Sequence, residues 1–171
     1  MVRYVPLCRI TQEWLNYREW DDKINLDDEN QTSKINFTLT INDQSFEVYI
    51  ETDEERDFLK FYFYAPFNAL SKKVIDCAIL FNHINLCSFS GAITLSDRGR
   101  IRWQHIIDFE DTDPSVKTIE NAFNAGSHSF SRWFDEISEV ALTKTTAQEI
   151  IDRLNSDSDA EASEEAVPDS I

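Results

Sequence analysis

Three runs between residues 34 and 66 alternate apolar and polar side chains one for one, a pattern that suits an extended chain with one buried face. In KINFTLTIN (34–42) the apolar set is Ile35, Phe37, Leu39 and Ile41, against Asn36, Thr38 and Thr40. After a turn at Asn42-Asp43, SFEVYIETD (45–53) sets Phe46, Val48 and Ile50 against Glu47, Tyr49 and Glu51. The third run, FLKFYFYAP (58–66), keeps Leu59, Phe61 and Phe63 on the core side, yet its other side carries Phe58, Tyr62 and Tyr64 instead of solvated residues. Pro66 is expected to end that strand. A further pair of runs meets at the turn Ser96-Asp97-Arg98-Gly99, with Ile93 and Leu95, then Ile101, Trp103, His105, Ile107 and Phe109, sharing a side. Such period-2 runs joined by short turns predict antiparallel strands with one wetted face.

Helical spacing occupies the rest. Thr11 reads as the cap of a first helix reaching toward Trp20, and DDENQTSK (27–34) as a loop. In NALSKKVIDCAILFNH (68–83), Leu70, Val74, Cys77, Ala78 and Phe81 form the expected buried stripe. Ile75, Ile79 and Leu80 widen the apolar surface beyond one face, and they are the candidate dimer interface. A long helix is expected from Asp113-Pro114 to about Leu142, carried by Val116, Ile119, Phe123, Phe130, Phe134, Ile137 and Ala141, with Gly126-Ser127 as its weak point. TAQEIIDRL (146–154) adds a last turn or two. The predicted class is α+β, an antiparallel sheet of about five strands with helices packed on one face, in the order α-β-β-β-α-β-β-α. Residues 1–33 form an N-terminal helix and loop, 34–142 the α+β domain, 143–154 a C-terminal helical segment and 155–171 a tail.

That tail, NSDSDAEASEEAVPDSI, holds six acids and no base, and its composition predicts a solvated, disordered segment dispensable for folding. Taking those six acids from the net charge of -16 leaves -10 on the remainder, which argues against a nucleic-acid partner. No apolar run is long enough to cross a bilayer and the first residues lack a signal-peptide core, so the expected location is the cytoplasm. Cys8, Cys77 and Cys87 form no C-x-x-C pair, and the apolar neighbours of Cys77 and Cys87 suggest buried structural thiols.

Chemistry-bearing motifs are missing. His83, His105 and His128 have no metal-ligand spacing, and His105 shares a face with Trp103 and Ile107, as a core histidine does. Asp108, Glu110, Asp111 and Asp113 lack the Gly and terminal Glu of a calcium loop and read as an acidic helix start. There is no nucleophile elbow, P-loop or dinucleotide fingerprint. No catalytic residue, cofactor or metal site is therefore predicted, and the chain reads as a non-enzyme.

The helix KKVIDCAILFNHIN (72–85), then FSGAITLSDRGRIRWQHIIDFED (89–111) and VKTIENAFNAGSHSFSRWFDEI (116–137), resemble the YbjN family. The shared features are a helix ending in an Asn-rich turn, a strand ending D-x-G-x-(I/V) and a closing helix with aromatics near its end. The resemblance covers about Lys34 to Leu142. It implies a fold like that of the type III secretion chaperones, small acidic α/β proteins that usually dimerise, and it supplies no catalytic residues.

The expected function is a bacterial protein-interaction domain, a regulator or chaperone-like binder of another polypeptide, and a homodimer. The rivals are an accessory subunit of a fixed complex and an enzyme of unrecognised type. Tyr49, Phe58, Tyr62 and Tyr64 are the candidate partner-binding residues, because contiguous aromatics on an outer sheet face often mark interaction sites unless the terminal segments cover them. The acids Glu47, Glu51 and Glu54 around them favour a partner with basic residues flanking an apolar anchor.

Overall fold

The alternating runs pair into one antiparallel sheet in the order β1-β2-β3-β4-β6-β5, seen in a computed structural model that describes residues 6–165, with side chains through residue 156. The strands are β1 (Asn25–Asp27), β2 (Thr32–Ile41), β3 (Gln44–Asp53), β4 (Phe58–Asn68), β5 (Ala92–Leu95) and β6 (Arg100–Asp108). The class is α+β as expected, with six strands instead of about five. The extra one, β1, ends at the first residue of the expected loop, where Asp27 accepts hydrogen bonds from the Asn30 backbone (3.1 Å) and side-chain amide (2.7 Å) and turns the chain onto β2. Pro66 does not end β4. The proline falls where the β4–β6 register shifts between Tyr64 and Asn68, so no ladder hydrogen bond is asked of it.

The inward set is the predicted one: Val48, Ile50, Leu59, Phe61, Phe63, Ile101 and Trp103 are all buried. Helix α3 (Val116–Leu142) lies across that face, with Phe130 against Phe46 (4.8 Å) and Phe123 against Phe63 (5.4 Å). Its cap is Ser115, which accepts from the Thr118 N–H, so the acids of 108–113 precede the helix without capping it. At Gly126, the expected weak point, α3 continues without a break in the helix.

Helix α2 (Val74–Leu86), preceded by a 3-10 turn (Ser71–Lys73), starts later than expected because the strand continues to Asn68. Its buried stripe is Cys77, Leu80, Phe81 and Ile84, at i, i+3, i+4 and i+7. Leu80 is fully buried, so it belongs to the core and drops out of the candidate dimer interface; Leu70 and Ala78, expected inside, are exposed. Burial pushes the Cys77 thiol up to about 11, which leaves it a poor nucleophile. Cys87, expected buried, is exposed at the C-terminal cap of α2.

Helix α4 (Ala147–Glu165) extends past the expected end at Leu154, into the segment expected to be disordered. Thr146 and Glu149 cap it reciprocally, Thr146 N–H donating to Glu149 Oε2 (2.7 Å) and Glu149 N–H to Thr146 Oγ1 (3.3 Å). Buried Ala147 and Ile150 anchor it, and no Gly or Pro interrupts the run before Pro168. Residues 166–171 of the expected tail lie outside the described residues. Lys73, itself buried, clamps this end of the fold by donating to Asp76 Oδ2 (2.6 Å) and to the Thr145 carbonyl (2.7 Å).

Helix α1 (Leu7–Tyr17) is capped by a distant residue. Both carboxylate oxygens of Glu54 accept from it, one from Leu7 N–H and one from Cys8 N–H, each at 2.7 Å. Thr11 sits mid-helix, donating to the Leu7 carbonyl at 2.8 Å, and is not the cap. Arg18 then ties α1 to α3, donating twice to Glu120 at 2.8 Å, while Trp14 Nε1 adds a third bond at 2.8 Å. Burial alone would push the Glu120 carboxyl up, but the bonds from Arg18, Trp14 and Asn124 outweigh it and hold the group below the usual glutamate range. Its stabilisation is thus fully present above the ordinary glutamate pKa and is lost as pH falls from there through the depressed value. Glu120→Gln should lower the urea midpoint at pH 7 by an amount equivalent to about 2 kcal/mol, as expected for losing charge-assisted bonds. The gap from wild type should narrow in acid; a gap independent of pH would assign the loss to packing.

Candidate functional site

Pleating sends a defined set of side chains to the face turned away from the helices. The register aligns Asn36, Tyr49, Tyr62 and Gln104 in one row across β2, β3, β4 and β6, and Thr38, Glu47, Tyr64 and Arg102 in the next. Lys34, Glu51, Lys60 and Ile106 form a third row, and Phe58 lies beyond it between Asp53 and Asp108. The structure thus brings Tyr49, Tyr62 and Tyr64 together and leaves Phe58 toward one end. Tyr49 and Tyr64 meet edge-to-face at 5.5 Å, and Tyr62 lies 6.3 Å from Tyr64.

No described element covers these rings. Trp14 and Trp20 pack inward with Phe123 at 5.2 Å and 5.5 Å, and α4 packs on α2 and α3. The described helices pack on the opposite face, while Tyr49, Tyr62 and Tyr64 are themselves half-buried among their sheet neighbours.

What the sequence pattern did not reveal is the set of cations laid over the rings. Lys34 Nζ sits 4.7 Å from the Tyr49 ring centre, Arg102 Cζ 4.8 Å from that of Tyr62 and Arg100 Cζ 3.7 Å from that of Tyr64. Arg100 and Arg102 come from a strand far along the chain, so only the β4–β6 register reveals the stacking. Carboxylates complete part of the surface: Glu51 pairs with Lys34 at 2.9 Å and Glu47 with Arg100 at 2.8 Å. Burial first, and the charge of Glu51 second, push the Tyr62 hydroxyl up, so it stays a neutral donor. Amphipathic rings with stacked cations offer apolar contact together with hydrogen bonds.

The second candidate surface is α2. Ile75 (76% exposed) and Ile79 (48%) continue into Leu86 (79%) and Phe89 (108%), an apolar stripe with no partner among the described residues. The neighbouring strand edge is closed: the Asn85 side chain accepts from Ile93 N–H (2.8 Å) and donates to the Ile93 carbonyl (2.9 Å), taking the place of a further strand. Among the described residues no group of three or more His, Cys, Asp or Glu could hold a metal, and no helix is long and apolar enough to cross a membrane. His105 is part-buried beside Trp103 (5.8 Å), and burial lowers its pKa, as for a core histidine.

Residues 12–139 match the model of the YbjN family, described as "Putative bacterial sensory transduction regulator". Among solved structures the chain is similar to a chain of the HopA1–SchA chaperone–effector complex, at 17% identity and a TM-score of 0.52, covering 75% of this chain and 92% of that one. It is also similar to YbjN from E. coli, at 11% identity and a TM-score of 0.50, covering 78% and 96%. At such identities the likeness is one of fold, the α+β fold of the type III secretion chaperones. No curated protein matches the chain.

Proposed function

We propose, from the premise that this chain belongs to the YbjN family, that it is a cytoplasmic protein-interaction domain without catalytic activity, a regulator or chaperone-like binder of another polypeptide. Its main support is the open outer face of the sheet, where Tyr49, Tyr62 and Tyr64 hold ordered rings beneath stacked cations with no described element above them. Contiguous aromatic surface of this kind is unusual on a protein that binds nothing. The fold shared with a chain of a chaperone–effector complex is in keeping with that role. Asn85 occupies the backbone groups of Ile93 on the β5 edge, which disfavours strand addition at that position. We further place a second copy of the chain on the Ile75, Ile79, Leu86 and Phe89 stripe, which makes the protein a homodimer.

Affinity capture from the native host tests the docking face, with the wild-type chain and a Tyr62→Ala, Tyr64→Ala variant as baits. The expected result is one or a few proteins held by wild type and absent from the variant. Equal capture by both baits contradicts the assignment of the site.

A further inference from the structure

We infer that the segment docking on the tyrosine face is anionic, an extended acidic peptide with a carboxylate on Arg102 while an apolar side chain lies on the rings. This rests on the docking face proposed above and adds the charge of its occupant, the reverse of what neighbouring acids in the sequence suggest. Those acids are already engaged. Glu54 caps α1, Glu51 pairs with Lys34, and Glu47 pairs with Arg100.

Arg102 is left over. Its Nε donates to Thr94 Oγ1 at 3.4 Å and its Nη1 to the Tyr64 hydroxyl at 3.2 Å, both neutral groups. Among the described residues no carboxylate stands within ion-pair distance of it. Around the three rings Lys34 pairs with Glu51, Arg100 with Glu47 and Lys60 with Asp53 (3.9 Å), which leaves Arg102 as the unpaired cation of this patch on a chain of net charge -16. An acidic segment would be repelled by most of this surface and drawn to this part of it, which gives orientation as well as attraction. Stacking over Tyr62 holds the Arg102 plane in place, so less side-chain freedom is lost when a carboxylate bonds to it. Two shallow depressions, of about 290 Å³ and 240 Å³, adjoin at Tyr64, Arg100 and Arg102, which suits alternate side chains of an extended strand. Aromatic and Arg surfaces also stack nucleic-acid bases, but a backbone charged at every nucleotide needs a row of free cations and only Arg102 is unpaired here, so a peptide with a single well-placed carboxylate is favoured.

Fluorescence anisotropy with three labelled probes tests this: a peptide with glutamates on both sides of a Phe-Leu pair, the same peptide with lysines for glutamates, and an oligouridylate. The glutamate peptide should bind, more weakly as salt rises, and Arg102→Gln, shown by its melting curve to be folded, should weaken it about tenfold. Tighter binding of the lysine peptide or the oligonucleotide, an unchanged affinity in Arg102→Gln, or no binding of the glutamate peptide at millimolar concentration would each overturn the inference. A host partner lost by the Tyr62→Ala, Tyr64→Ala variant but retained by Arg102→Gln leaves the docking face standing and removes the anionic occupant. Loss from neither variant removes both.

Discussion

Gly91→Ala is expected to be strongly damaging, lowering stability by roughly 3 kcal/mol, the combined scale of left-handed backbone strain and core overpacking. Gly91 has φ +67°, and a Cβ there would lie 2.2 Å from Trp103 Cζ2 and 2.3 Å from Cε2. The indole cannot retreat. It is 1% exposed, packed edge-to-face on Phe63 at 5.5 Å, and pressed from α3 by Gly126, where a Cβ would fall 2.8 Å from Trp103 Cε3. Two glycines thus flank one buried tryptophan, and the β5 entry, β6 and α3 meet around it. Gly126→Ala should cost less, because alanine regains about 1 kcal/mol of helix propensity. Urea unfolding of both variants checks the order, and a Gly91→Ala midpoint equal to wild type would mean that the β5 entry can move away from the indole. A loss of this size is a large part of the 5–15 kcal/mol that holds a typical domain folded.

Ile79→Glu is expected to abolish self-association while leaving the monomer folded. Ile79 is 48% exposed between Ile75 and the Leu86–Phe89 end of the stripe, so a carboxylate there is tolerated in water and is costly only when a second copy would bury it. Light scattering should give about twice the 19.9 kDa chain mass for wild type and the chain mass for the variant. A wild-type monomer at high concentration removes the dimer. A variant that unfolds, shown by its far-ultraviolet dichroism, would show that Ile79 supports the core as Leu80 does.

The strands were legible because period-2 alternation has one solution once a face is buried: Phe46, Val48, Ile50, Phe61 and Phe63 point inward as the pattern requires. The same alternation placed Tyr49, Tyr62 and Tyr64 on the opposite face. The phase of α2 was not legible, since Ile75 and Ile79 are as apolar as Leu80 and Ile84 and periodicity cannot choose among them. Only the packing of α2 on β5, α3 and α4 decides that Leu80 is inside. The start of α1 was misread for a different reason, because its cap, Glu54, lies 47 residues from Leu7. The charge of the tyrosine face was hidden the same way: Glu47, Glu51 and Glu54 neighbour the rings in sequence, while Arg100 and Arg102 reach them only through β4–β6 pairing.

The central claim is that the tyrosine face serves a partner and not the fold, and the urea stability of the Tyr62→Ala, Tyr64→Ala variant tests it most directly. The rings lie on the uncovered face, so the expected change is below about 1 kcal/mol, together with lost partner capture. A loss of roughly 2 kcal/mol or more, the scale for truncating packed aromatics, would place these tyrosines in the structural core and contradict the claim.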